Sequence, residues 1–236
     1  MQNSPLDNIK QQAKAIRDQL QKGIYKVIDP FVQKLIEWKF TPNMVTTIGL
    51  AGNALAAGVI FYAGASAGYK DPNYFLILLS GILIIAFSLF DMLDGQVARI
   101  GGMTSRFGAM YDSVLDRYCE ILMFGSISYF LLATGSPWGA LLAFLALMGS
   151  VMVSYVRARA EGLGVECKIG FMQRPERVVV TAVALMATGI WGCCIHGYTD
   201  ARPNIVLTVA MALIAVFANL TAFARLFHTA VKLRNK

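Results

Sequence analysis

Six long apolar stretches, at about 46–68, 74–98, 107–133, 137–158, 176–198 and 203–226, alternate with short polar segments along the chain. Most hold the roughly 20 apolar residues that a bilayer crossing needs. Backbone polar groups find no water in lipid, so each stretch is expected to be a helix. Ahead of them, residues 6–38 follow another pattern: Leu6, Ile9, Ile16, Leu20, Ile24, Val27, Phe31 and Leu35 recur at three-, four- and seven-residue steps, with Lys10, Lys14, Arg17, Lys22, Lys26 and Lys34 between them. That is the period of a basic amphipathic helix. Its expected place is flat on an anionic leaflet, apolar face down, each basic residue adding on the order of 1 kcal/mol; a partner-binding coil is the alternative. Pro30 is expected to kink it near its end. Thr41-Pro42-Asn43 then opens the first crossing, with proline in an early helical turn and Thr or Asn able to cap it.

The pattern predicts an all-α, polytopic membrane protein in two parts. Residues 1–40 form a cytoplasmic interfacial helix, and residues 41–236 form a domain of six transmembrane helices. Composition agrees, because 56% hydrophobic and only 15% charged residues in 236 exclude an ordinary soluble domain. The first apolar run begins past residue 40, behind a long charged stretch, which is not the layout of a cleavable signal peptide. Charge sets the orientation. Of 21 Lys and Arg, 7 precede residue 46, 2 lie in 99–106, 5 in 157–177 and 4 in 225–236, Arg117 lies inside the third apolar stretch, and Lys70 and Arg202 alone fall to the opposite side. Both termini and the two basic loops are therefore expected in the cytoplasm. The partners expected of this charge are membrane lipids, with no nucleic acid. Cys119, Cys167, Cys193 and Cys194 lack zinc-ligand spacing and read as packing residues; His196 and His228 are isolated and are assigned to no metal.

Candidate chemistry sits at one membrane boundary. The run Asp91-x-x-Asp94-Gly95-x-x-Ala98-Arg99-(x)8-Gly108-x-x-x-Asp112-x-x-x-Asp116 places two carboxylates at i,i+3 and two at i,i+4, so each pair shares a helix face. Tyr74 to Phe90 carries no charge over 17 residues. That is roughly 26 Å of helix against a hydrocarbon core of about 30 Å, so Asp91 arrives near the cytoplasmic boundary. The loop from Ile100 to Phe107 returns the chain, bringing Asp112 and Asp116 to nearly the same depth. Four carboxylates beside hydrocarbon need a cation. Oxygen-only ligands suit Mg²⁺, Mn²⁺ or Ca²⁺, and Mg²⁺ binds through carboxylates together with substrate phosphates. The alternative is a set of structural ion pairs with Arg99, Arg106 and Arg117, although intramembrane carboxylates are expensive and usually functional. Gly95, Ala98 and Gly108 are small at spacings that let a helix or a nucleotide approach the backbone. Arg157, Arg159, Arg174, Arg177 and Arg225 end or open crossings at the same level, where snorkelling is the plainer explanation of any one of them.

The acidic run matches, position for position, the signature of the CDP-alcohol phosphotransferase family, and the chain resembles that family. The resemblance implies metal ligation by Asp91, Asp94, Asp112 and Asp116, with Asp116 also the general base. It places Gly95, Arg99, Ser105, Gly108 and Asp112 around the CDP part of the donor, and it implies a two-ion Mg²⁺ site, with Mn²⁺ the other candidate, in a homodimer. A second stretch, Ser154-Tyr155-Val156-Arg157-Ala158-Arg159-Ala160-Glu161 with Gln173-Arg174-Pro175-Glu176-Arg177-Val178 and Arg225-Leu226-Phe227-His228, is similar to the phosphatidylinositol phosphate synthase branch. There, basic residues at the places of Arg157, Arg177 and Arg225 hold the phosphate of inositol 1-phosphate. The first of these is commonly Lys in that branch, and Arg brings a different, forked geometry. The implied reaction moves the phosphatidyl group of CDP-diacylglycerol to inositol 1-phosphate and releases CMP. The alternative within the class is a phosphatidylglycerophosphate synthase using glycerol 3-phosphate. Outside it stands a divalent-cation transporter, against which the clustering of the acids at one end and the nearby arginines both argue.

Overall fold

The computed structural model describes residues 29–67, 72–195 and 203–234, and all regular structure among them is helical. The expected N-terminal helix up to residue 28 lies outside the described residues, as do Lys70, His196 and Arg202. Its last turns are seen as α1, residues 29–37. There Val32 and Leu35 are buried against Val45, Leu93 and Val97 of the following helices, so this end of the segment docks on protein. Lys39, with φ 60°, ends it, and Phe40 N donates to Leu35 O.

The remaining helices are α2 (Pro42–Ala67), α3 (Tyr74–Ser88), α4 (Phe90–Ile100), α5 (Arg106–Ala133), α6 (Pro137–Gly162), α7 (Arg174–Ile195) and α8 (Asn204–Arg234). The apolar stretch expected as one helix over 74–98 is two, broken at Leu89 immediately before the first aspartate. By length and composition five segments can cross a membrane: α2, α3 with α4, α6, α7 and α8. These mark an integral membrane protein. The sixth expected crossing, α5, is long enough at 28 residues, about 42 Å, but the stretch from Arg106 to Glu120 carries those two residues and Asp112, Asp116 and Arg117.

Packing pairs α6 with α8, α2 with α5 and α3 with α7 most extensively, and α5 also lies along α6. The core at their crossing is built from Ile60, Ile77, Phe124, Phe130, Leu185, Met211 and Ile214, with Ala63, Ala143, Ala146 and Ala218 filling the close contacts. Lipid tails are as apolar as Leu, so helices in a bilayer associate through close van der Waals fit, and small residues supply it. Gly189 shows the limit: a Cβ there would stand 2.4 Å from the Leu78 backbone nitrogen. Gly189→Ala is therefore expected to cost about 1–3 kcal/mol and to lower the melting temperature in detergent. Gly58→Ala, whose Cβ meets nothing within 4 Å, is expected to leave it unchanged; equal melting of the two variants would contradict the α3–α7 fit.

Candidate active site

Two glycines and a cap set the acidic helices side by side. Gly101 ends α4, and Gly102, at φ +64°, takes the left-handed conformation that turns the chain towards α5. Ser105 caps α5, its hydroxyl accepting from the Gly108 backbone N–H at 2.9 Å. A Cβ at Gly108 would meet that hydroxyl at 3.0 Å, so only glycine leaves the turn undisturbed. A Cβ on Gly95 would meet only Arg99 Nη2, at 3.7 Å; glycine at this position therefore widens a cavity and is not required by helix packing.

The four aspartates come to one neighbourhood, held by partners from two other helices, α2 and α7, and by a neighbour on α5. Asp94 is buried, and the Thr46 hydroxyl of α2 donates to its Oδ2 at 2.7 Å. Asp91 and Asp116, on α4 and α5, are bridged by Arg174, the first residue of α7: Nη2 lies 2.8 Å from Asp91 Oδ2 and Nη1 2.7 Å from Asp116 Oδ1. Arg117 Nη2 reaches Asp116 Oδ2 at 3.3 Å. Asp112 is within electrostatic range of Asp91, Asp94 and Asp116. Among the described residues no three His, Cys, Asp or Glu side chains close on a single point as a metal site. The donor set nonetheless suits a hard cation. All four donors are carboxylates, and two of them converge on one positive group, which in this structure is a guanidinium.

The arginines expected at an acceptor phosphate are placed differently from one another. Arg177 is 1% exposed and pairs with Glu120, itself 1% exposed. Its Nε donates to Glu120 Oε1 at 3.1 Å, Nη2 donates to the same oxygen, and Nη1 donates to Met172 O at 3.0 Å. Arg225 donates from Nε to Ile169 O and from Nη1 to Val153 O, both at 2.8 Å. Arg157 is more open and pairs with Glu161, one turn on, at 2.9 Å. All three still border one cavity.

That cavity, of about 330 Å³, is lined by Asp112, Asp116, Ser154, Arg157, Gln173, Arg174, Arg177 and Arg225. A second cavity, of about 230 Å³, is lined by Asn43, Thr46, Asp94, Gly95, Ala98, Ser105, Gly108 and Asp112. Asp112 belongs to both. Arg99 lies outside this second cavity, its Nε turned to Gln96 Oε1 at 3.4 Å. A third opening, about 350 Å³ and mostly apolar, runs between α3, α4 and α7 along Ile85, Leu89, Met92, Val178 and Val179, and ends at Asp91 and Arg174.

Thr46, Glu120 and Arg174 are site residues that sequence reasoning did not single out. Glu120 had a signal: it continues the i,i+4 stripe of Asp112 and Asp116 into the apolar part of α5. Arg174 had none that separates it from its neighbours at the helix start, and Thr46 is one threonine among several.

A family model described as CDP-alcohol phosphatidyltransferase matches residues 39–231. Among curated proteins, the chain is 33% identical over 172 residues to a phosphatidylinositol phosphate synthase of Corynebacterium glutamicum, covering 70% of this chain and 71% of that one. It is 38% identical over 152 residues to an archaetidylinositol phosphate synthase of Methanothermobacter thermautotrophicus, covering 64% and 71%. The fold is similar to the crystal structure of Mycobacterium tuberculosis phosphatidylinositol phosphate synthase with CDP-DAG bound, at TM-score 0.71 and 27% identity, covering 86% of this chain and 94% of that one. A structure of the same enzyme with manganese and citrate matches at TM-score 0.70 and 28% identity, over 85% and 87%.

Proposed function

The chain belongs to the CDP-alcohol phosphatidyltransferase family, and from that premise we propose that it transfers the phosphatidyl group of CDP-diacylglycerol to inositol 1-phosphate, releasing CMP and leaving phosphatidylinositol phosphate in the membrane. The observation that carries the proposal is the pair of cavities sharing Asp112. One is lined by small residues and threonine, serine and asparagine oxygens, the other by arginines. A nucleotide donor and a phosphate-bearing acceptor ask for two such chambers meeting at one reacting phosphorus. The relatives named as inositol phosphate synthases, and the neighbour holding CDP-DAG, support the same assignment.

In this arrangement the cytidine diphosphate lies in the cavity of Gly95, Ser105, Gly108 and Asp112, with Arg99 at its edge. The acyl chains leave along the apolar opening between α3, α4 and α7. Asp91, Asp94, Asp112 and Asp116 hold divalent metal, Mg²⁺ or Mn²⁺, in one or two ions; manganese in the related structure supports a divalent ion. Bound there, the metal neutralises phosphate oxygens and the departing CMP. The acceptor's phosphate lies in the arginine-lined cavity, where Arg157, with its exposed fork, binds it bidentately and Arg177 and Arg225 supply fixed positive charge behind it. Asp116 faces that cavity and takes the proton of the attacking hydroxyl as its oxygen bonds to the phosphatidyl phosphorus and the bond to CMP breaks. Six crossings, with α5 carrying the acids at the cytoplasmic boundary, a bacterial cytoplasmic-membrane location, cytoplasmic termini, an interfacial helix over 1–40 and a homodimer complete the proposal. A cation transporter has no support in a family of transferases.

The test is CMP release by the detergent-purified protein with CDP-diacylglycerol and Mg²⁺, supplied separately with inositol 1-phosphate, inositol, glycerol 3-phosphate and serine. Release with inositol 1-phosphate alone is expected. Release with glycerol 3-phosphate alone would move the assignment to phosphatidylglycerophosphate synthesis and keep the acidic site. Arg157→Ala is expected to raise KM for the phosphorylated acceptor at least about tenfold, with KM for CDP-diacylglycerol within about twofold. Equal effects on both would remove Arg157 from the acceptor site.

A further inference from the structure

We propose that Arg174 is a displaceable counter-ion: it closes the acidic cluster when no metal is bound, and a divalent cation releases it into the arginine-lined cavity, where its guanidinium joins the acceptor phosphate. The proposal rests on the metal-site and acceptor assignments above. Its starting point is that one side chain bridges carboxylates on two different helices, Asp91 of α4 and Asp116 of α5. Both carboxylates are proposed metal ligands. A dication and a guanidinium cannot share the same two oxygens, because like charges at contact distance repel strongly where water is scarce. Metal entry therefore removes both of Arg174's charged partners together.

Where the guanidinium then goes follows from its surroundings. Arg174 already lines the arginine-bordered cavity as well as the apolar opening, so rotation of its side chain moves the head from the acids into the cavity without any shift of α7. Its Nε is buried and has no hydrogen-bond partner among the described residues, so it is a donor left over in the bridged position. Of the other arginines around that cavity, Arg117 meets one proposed ligand, Asp116, at 3.3 Å but also lies 3.7 Å from Glu120, which metal would not take, and the remaining three hold partners away from the aspartates. Arg177 has Glu120 and Met172 O, Arg225 has two backbone carbonyls, and Arg157 has Glu161. Arg174, which bridges two proposed ligands and loses both, is thus the main group through which metal occupancy changes the positive charge offered to an anion. Metal and phosphorylated acceptor must favour each other's binding, and by thermodynamic reciprocity the factor is the same in both directions.

The experiment measures free Mn²⁺ by electron paramagnetic resonance with metal-stripped, full-length protein in detergent, with and without inositol 1-phosphate or glycerol 3-phosphate. Asp94→Asn locates the site, since it should weaken the binding counted. Arg174→Ala is expected to bind Mn²⁺ about tenfold more tightly than wild type, a factor within the usual range of coupling between sites. Acceptor is expected to tighten Mn²⁺ binding several-fold in wild type and not in Arg174→Ala. Mn²⁺ binding in Arg174→Ala no tighter than in wild type, or an unchanged acceptor effect, would overturn the proposal while leaving the metal site standing. Wild-type binding indifferent to Asp94→Asn would instead overturn the metal site, and the proposal with it. Should Arg174→Ala aggregate on size exclusion, Arg174→Lys decides. Its compact ammonium cannot fork across both carboxylates, so Mn²⁺ should bind a few-fold more tightly, and wild-type affinity there would be a refutation.

Discussion

Asp116→Asn is expected to lower CMP release by at least about a thousandfold, within the contribution usual for a positioned general base, while CDP-diacylglycerol binding stays within about threefold of wild type. The asparagine keeps the volume and one carbonyl oxygen; Arg174 and Arg117 meet different oxygens of Asp116, so the amide turned with its oxygen towards Arg174 keeps the shorter contact and gives up the one to Arg117. What is lost is the oxygen that can accept a proton from the attacking hydroxyl. Asp116 is also a proposed metal ligand, and the two roles separate in measurement. If Mn²⁺ still binds and the donor still binds, but single-turnover CMP release is absent, the deficit lies in proton transfer. Normal turnover by this variant would remove Asp116 from the chemistry altogether.

Glu120→Ala is expected to be the most damaging single change to stability, by about 3–5 kcal/mol, the usual cost of removing one partner from a buried ion pair. Arg177 would be left with the Met172 carbonyl alone against its charge, inside a site where both side chains are now 1% exposed. Pairing the change with Arg177→Met should restore most of the melting temperature, because an apolar side chain of similar length fills the space without a charge to desolvate. A double variant as unstable as Glu120→Ala would show that the pair is not what Glu120 contributes. The same pair also bears on function. Glu120 fixes the orientation of Arg177, so a phosphate reaching the cavity meets a guanidinium that is held in place, with much of its charge already balanced.

Much of this protein is local in origin. Helix positions follow from apolar length and polar breaks, because a backbone in lipid has few ways to satisfy itself. The acidic pairs, the Ser105 cap and the glycine turn before α5 are consequences of residues a few positions apart. The sequence alone also led to the expectation that acids and arginines gather at one depth, and Asp112, Asp116, Arg157, Arg174, Arg177 and Arg225 do line one cavity. Tertiary structure decided which of them meet. Five arginines stand at that level, and nothing in their immediate neighbours distinguishes Arg174, across Asp91 and Asp116, from Arg177, paired with Glu120 at a separation of 57 residues. The break at Leu89 and the docking of Val32 and Leu35 on α4 were likewise invisible to periodicity. A hydrophobic pattern states that a face is buried, but the identity of its neighbour is set by how the helices cross, and charge pairing between distant segments follows from that crossing.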